Sequence, residues 1–163
     1  MEVMRTEDFE RLFEEHAQPL LSFLVYRTGS RPVAEDVLAD TFERALRARR
    51  RFDPRKASEK TWLYSIALNL LRDNARREAA ETRAIERAVP VPAGDHAATE
   101  AVAERDSLAR AMAGLSEEER EAVALRYGAD LTVPEIAKLT REKLTTVEGR
   151  VYRALRKLRH ELD

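Results

Sequence analysis

The chain holds 163 residues, with 29 Lys and Arg against 30 Asp and Glu and no cysteine. Without cysteine there is no disulfide framework, thiolate metal site or cysteine nucleophile, and no apolar run approaches the roughly 18 residues of a membrane helix. The acidic start, MEVMRTEDFE, lacks the apolar core of a signal peptide, so a cytoplasmic protein without membrane insertion is expected. A net charge of −1 counts against a domain that grips nucleic acid through overall basicity.

Helix formers abound, and only five Gly and six Pro punctuate them. The expected fold is all-α: two small helical bundles joined by a linker, the second containing a helix-turn-helix. Residues 1–78 form the first, 79–104 the linker and 105–163 the second. In the first segment Phe9, Leu12, Phe13, Leu20, Leu21 and Leu24 recur at helical steps from about Thr6 to Thr28. Pro19 is expected to kink or break that helix, and Gly29 to cap it. Ser30 opens the second helix with Pro32 in its first turn, and Val33, Val37, Leu38, Thr41, Phe42, Ala45 and Leu46 are expected inward. Asp53-Pro54 signals a turn, and a third helix runs from about Ser58 to Glu78. Its apolar stripe is Trp62, Leu63, Ile66, Ala67, Leu70 and Leu71, with Asn69, Arg72, Asp73, Arg76 and Arg77 opposite.

Pro90, Pro92, Gly94 and many alanines then mark the linker. Beyond it, Leu108, Ala111, Met112 and Leu115 share a face. Capping-box spacing recurs at Ser116/Glu119, Thr132/Glu135 and Thr145/Glu148, predicting three helix starts. The last two helices, Val133–Leu139 and Thr145–Leu162, have the layout of a helix-turn-helix, with Val147, Val151, Leu155 and Leu158 inward on the second.

Three constellations carry chemistry. Residues 149–160 hold five Lys or Arg and no acid, on the helix that such a motif would place in the major groove. A solvated bundle face gives the same pattern. Residues 44–56 hold seven basic residues and one acid beside Phe52 and Trp62, a combination suited to single-stranded nucleic acid. Trp62 is expected in the core, and Phe52 is the ring more open to binding. Asp36, Asp40 and Glu43 share one face of the second helix, either a docking surface or ordinary solvated surface. His16, His96 and His160 lie in separate segments without carboxylates at metal-ligand spacing, and no glycine-rich phosphate loop occurs. No catalytic residue, metal site or cofactor is expected.

These residues resemble a family. AEDVLADTFERAL (34–46) looks like the second-region signature of bacterial RNA polymerase sigma factors. TWLYSIALNLLRDNARR (61–77) is similar to that family's W-L-x-x-I-A-x-N run, and LSEEEREAVALRYGADLTVPEIAKL (115–139) resembles its fourth region. The linker has no room for a third-region domain, so the extracytoplasmic-function type is the match. The resemblance implies a non-enzymatic factor that binds core polymerase, reads two promoter elements and is held by an anti-sigma factor. It implies core contacts at Asp36, Ala39, Asp40 and Glu43. Minus-ten contacts would fall at Arg51, Phe52, Arg55, Lys56, Asn69, Asp73, Arg76 and Arg77. Minus-thirty-five contacts would fall at Lys143, Thr145, Thr146, Glu148, Arg150 and Arg153. The alternatives are a helix-turn-helix regulator without polymerase contact and a helical adaptor that binds only protein.

The helix turn departs from the family pattern. Arg141 stands where the turn glycine is usual, so the turn is expected to be reshaped or strained. Glu142 replaces an apolar residue, and Gly149 weakens the second helix locally. Charge by segment explains the neutral total. Residues 1–78 hold 15 basic and 14 acidic groups, 79–107 hold 3 and 6, and 108–163 hold 11 and 10. Local basic patches are offset by acidic faces, so weak binding to DNA alone is expected.

Overall fold

The computed structural model describes residues 4–84 and 100–162, and seven α-helices lie among them. They are α1 (Thr6–Thr28), α2 (Arg31–Ala48), α3 (Glu59–Ala84), α4 (Glu100–Ala113), α5 (Glu117–Val123), α6 (Val133–Thr140) and α7 (Leu144–Leu162). Most of the expected linker, including Pro90, Pro92, Gly94 and His96, lies outside the described residues.

The punctuation works locally as physics requires. Gly29 takes a left-handed conformation at φ 71°, and its N–H donates to the Val25 carbonyl at 2.8 Å. The Ser30 hydroxyl then accepts from the Val33 N–H. Pro19, however, does not break α1, which runs through it unbroken. The ring lies on the exposed side, where the carbonyl it frees can be hydrated.

α1, α2 and α3 pack around Leu20, Phe23, Leu24, Ala34, Val37, Phe42, Ala45, Leu63, Ala67 and Leu71. The apolar stripes are wider than this core. Phe13 and Leu46, expected inward, are 46% and 38% exposed, because they flank the stripe that actually meets a neighbour. Phe13 still rests against Phe42, ring centroids 4.8 Å apart.

The C-terminal helices enclose a smaller core of Ala111, Met112, Leu115, Val123, Ala154 and Leu158. Polar ties reinforce it. The Arg120 guanidinium donates to the carbonyls of Met112, Ala113 and Leu115, satisfying the end of α4. Glu119, 5% exposed, completes the Ser116 capping box and accepts from the Lys157 ammonium at 2.7 Å. That hydrogen bond holds the Glu119 carboxyl below its ordinary value.

The two bundles do not stand apart. Leu125, Leu131, Ile136, Ala137, Val147 and Val151 belong to the same buried cluster as Phe23, Tyr64 and Leu68. This gives α3 a second buried face that its own bundle does not explain, and burial pushes the Tyr64 hydroxyl's pKa up. A wide π-type turn at Ala124–Gly128 follows α5 and meets α1. There the backbone of Phe23 lies so close to Gly128 that a Cβ at 128 would stand 3.2 Å from the Phe23 Cα. Arg27 on α1 and Glu121 on α5 pair across the seam at 3.5 Å, both largely shielded from solvent.

Candidate nucleic-acid interface

The short helix α6 is set by the Thr132–Glu135 capping box, with the Thr132 hydroxyl accepting from the Glu135 N–H and the Glu135 carboxylate accepting from the Thr132 N–H. The Thr132 N–H and hydroxyl, both donating to it, hold the Glu135 carboxyl below its ordinary value. α6 ends on Arg141 in the left-handed conformation, φ 58° and ψ 42°. A non-glycine residue there costs about 1–2 kcal/mol, so the turn keeps its usual geometry and carries the strain. The Glu142 N–H closes it on the Ala137 carbonyl at 3.0 Å.

The third predicted helix start is displaced. α7 begins at Leu144, so Thr145 already lies inside the first turn and cannot take the extended conformation of a cap. Val147, Val151, Ala154 and Leu158 are buried, with Leu155 partly so. The outward residues are Lys143, Thr145, Thr146, Glu148, Tyr152, Arg153, Arg156 and Arg159, all exposed. None of the basic ones makes an ion pair among the described residues. Gly149 is the floor on which the Arg153 side chain lies: a Cβ there would meet its Nη1 at 3.0 Å. Arg150 differs. It is 21% exposed and paired with Glu142, Nη1 to Oε2, at 2.5 Å.

In the N-terminal bundle, Arg49–Arg51 form a short 3-10 turn after α2. Asp53 then organises the loop, its carboxylate accepting from the Arg55 N–H and its carbonyl from the Lys56 N–H. Arg51, Arg55 and Lys56 are exposed on this loop. Phe52 is a correction: it is 8% exposed, packed on Trp62 with ring centroids 5.0 Å apart, beside Leu12 and Met4. A ring buried in this cluster is not available to stack on a base. On α3, Asn69, Arg76 and Arg77 are exposed and Asp73 is partly so, on the side away from the core.

The acidic side chains of α2 divide into two sets. Glu35 pairs with Arg31 at 3.0 Å and Glu43 with Arg47 at 2.6 Å, each one helical turn away. Asp36 and Asp40 are exposed and make no ion pair among the described residues, with Ala39 exposed beside them.

The fold also brings together what the sequence separates. Glu15 and His16 on α1 meet Glu59 at the start of α3, with ligand atoms within 4.8 Å of one another. No such grouping was expected from spacing along the chain; helix pairing supplies Glu59 as the third group. The Arg11 guanidinium already lies 3.7 Å from Glu59 and 4.0 Å from Glu15, which balances the charge. Burial, the main cause, holds the His16 pKa below its ordinary value.

Comparison with known proteins gives the family. Residues 12–81 match Sigma-70 region 2, and residues 105–158 match Sigma-70 region 4. The chain is 31% identical over 161 residues to the ECF RNA polymerase sigma factor RpoE of Cereibacter sphaeroides, covering 95% of this chain and 86% of that one. It is 27% identical to the ECF sigma factor BldN of Streptomyces coelicolor over 92% of its own length, and spans 58% of BldN. The fold matches that of the sigma factor RpoE of Bartonella quintana, solved in complex with the anti-sigma factor NepR. The TM-score is 0.84 at 22% identity, covering 96% of this chain and 98% of the other. With both regions in order and the fold shared throughout, the chain belongs to the ECF sigma factors, which direct RNA polymerase to promoters.

Proposed function

We propose that this sigma factor docks on core polymerase through the exposed face of α2, centred on Asp36, Ala39 and Asp40 with Glu43 at its edge. The carrying observation is the division of the α2 acids. Glu35 and Glu43 are neutralised by arginines one turn away, while Asp36 and Asp40 keep their charge for a partner. An exposed unpaired carboxylate steers and orients a basic surface. Asp40→Arg should lower affinity for core polymerase by about tenfold, or about 1.4 kcal/mol. Circular dichroism should stay unchanged. Equal affinity in both proteins would remove the docking face.

We assign minus-ten contacts to Arg51, Arg55 and Lys56 on the loop and to Asn69, Asp73, Arg76 and Arg77 on α3. Cations there hold phosphates, and the polar face of α3 offers hydrogen bonds to an extruded base. Lys143, Thr145, Thr146, Glu148 and Arg153 would read the minus-thirty-five element from α7. An anti-sigma factor is the second protein partner we propose, as in the B. quintana complex. The factor catalyses nothing itself and works in the cytoplasm, where polymerase and promoter DNA meet. No described helix is long and apolar enough to cross a membrane. A regulator acting without polymerase is disfavoured by the match to Sigma-70 region 2.

A further inference from the structure

We infer that Arg150 is a strut of the helix-turn-helix and not one of its readers: with Glu142 it fixes the angle at which α7 leaves the turn. The inference rests on the reading of α6 and α7 as a DNA-binding motif, and it reassigns a residue that the resemblance alone gives to DNA.

Three observations carry it. The first is position. At 100° per residue, Arg150 lies about 70° from the middle of the buried stripe of α7, whereas Gly149 and Arg156 lie nearly opposite it. Arg150 is thus on the flank that faces the turn. The second is occupancy. Its guanidinium is held by Glu142, and the two side chains are only 21% and 28% exposed, so solvent ions screen the pair less than a surface one. The exposed cations Lys143, Arg153, Arg156 and Arg159 make no such pair among the described residues. The third is need. Arg141 is held in a left-handed conformation unfavourable to its side chain, and strain of this kind persists only where neighbours over-determine it. Glu142 is the next residue. Its N–H is fixed on Ala137 inside α6, and its carboxylate is fixed on Arg150 two turns into α7. One residue therefore ties both helices to the strained corner. Glu142, an unexpected acid beside a DNA-facing helix, has a purpose here that base reading does not give it.

The test uses the full chain in four forms: wild type, Glu142→Gln, Arg150→Gln and the double exchange Glu142→Arg with Arg150→Glu. Each is melted, then titrated by fluorescence anisotropy with a labelled 30-base-pair duplex of random sequence from 50 to 200 mM KCl. Either single substitution should lower the melting temperature by about 2–4 °C. The exchange should regain most of that loss, because an ion pair works in either direction. DNA affinity should stay within about threefold of wild type in the exchanged protein, with the same salt slope in Arg150→Gln. The inference is overturned if Arg150→Gln flattens the slope by about 0.9, the signature of one lost phosphate contact, or if the exchange melts no higher than the single variants. Failure of the wild type to bind duplex DNA at all would sink the DNA reading instead, while the melting temperatures would still decide the strut.

Discussion

The N-terminal bundle is held by bulk and the C-terminal one by ties. In the first, Leu20, Phe23, Leu24, Phe42, Leu63 and Tyr64 fill the interior, and the charged groups on the surface make mainly one-turn pairs. In the second, four of the six core residues are Ala, Met or Val, and polar groups complete the packing: Arg120 on three carbonyls, Glu119 on Lys157, Glu142 on Arg150. A region of about 55 residues buries a smaller share of its apolar surface than a larger domain, so its core alone leaves a narrow margin of stability. The smaller unit is completed by directional bonds within it and by the seam it shares with the larger one.

Phe23 is where that dependence is most easily broken. Phe23→Ala should cost about 4 kcal/mol, read by urea titration. Because Phe23 lies in the cluster shared by both regions, Trp62 fluorescence and helical circular dichroism should shift together. A second helical transition left at its wild-type midpoint would show that the C-terminal region folds alone.

A smaller effect isolates one tie. Glu119→Gln should destabilise by about 2 kcal/mol at neutral pH, since it removes a charge-assisted bond from a buried acceptor. The folded carboxyl titrates below its unfolded value of 4.5, so its contribution is full above that value. It is lost as pH falls through the lower folded value. Wild type and variant should therefore begin to converge as pH falls past about 4.5 and meet only below the folded value. A gap that persists undiminished at pH 3 would mean that Glu119 acts through shape and not charge.

The smallest change has the opposite sign. Arg141→Gly should stabilise by about 1 kcal/mol, because glycine takes the left-handed corner without the Cβ penalty. A lower melting temperature for that variant would show that the Arg141 side chain contributes more than its backbone costs.

Local signals were the legible part of this molecule. The Ser116 and Thr132 caps, the Gly29 stop and the Asp53 turn all follow from spacing, because each is closed by residues within five positions of one another. The seam was not legible. Tyr64 and Leu68 fall outside the expected stripe of α3, and nothing near them in the chain announces the residues from 125 to 151 that share their cluster. For the same reason Phe52 read as a free ring, since its burial depends on Met4 and Leu12, some forty residues upstream. The unusual residues at the helix turn were visible as departures, but their partnership, Glu142 with Arg150, arises from the angle between the turn and α7. The family motifs pointed to both proposed interfaces, and the structure distinguished paired from unpaired charges within them.

Gly128 sets the closeness of the seam. Its backbone is not left-handed, so the obstacle to a side chain is space: a Cβ would stand 3.2 Å from the Phe23 Cα and 3.4 Å from the Tyr26 ring. Side-chain volume at 128 is thus a wedge of adjustable width. Alanine would press the halves by a few tenths of an ångström, and leucine would prise them apart. A graded set of such variants would turn the spacing between the two regions into an experimental dial, without touching a residue we assign to polymerase or DNA.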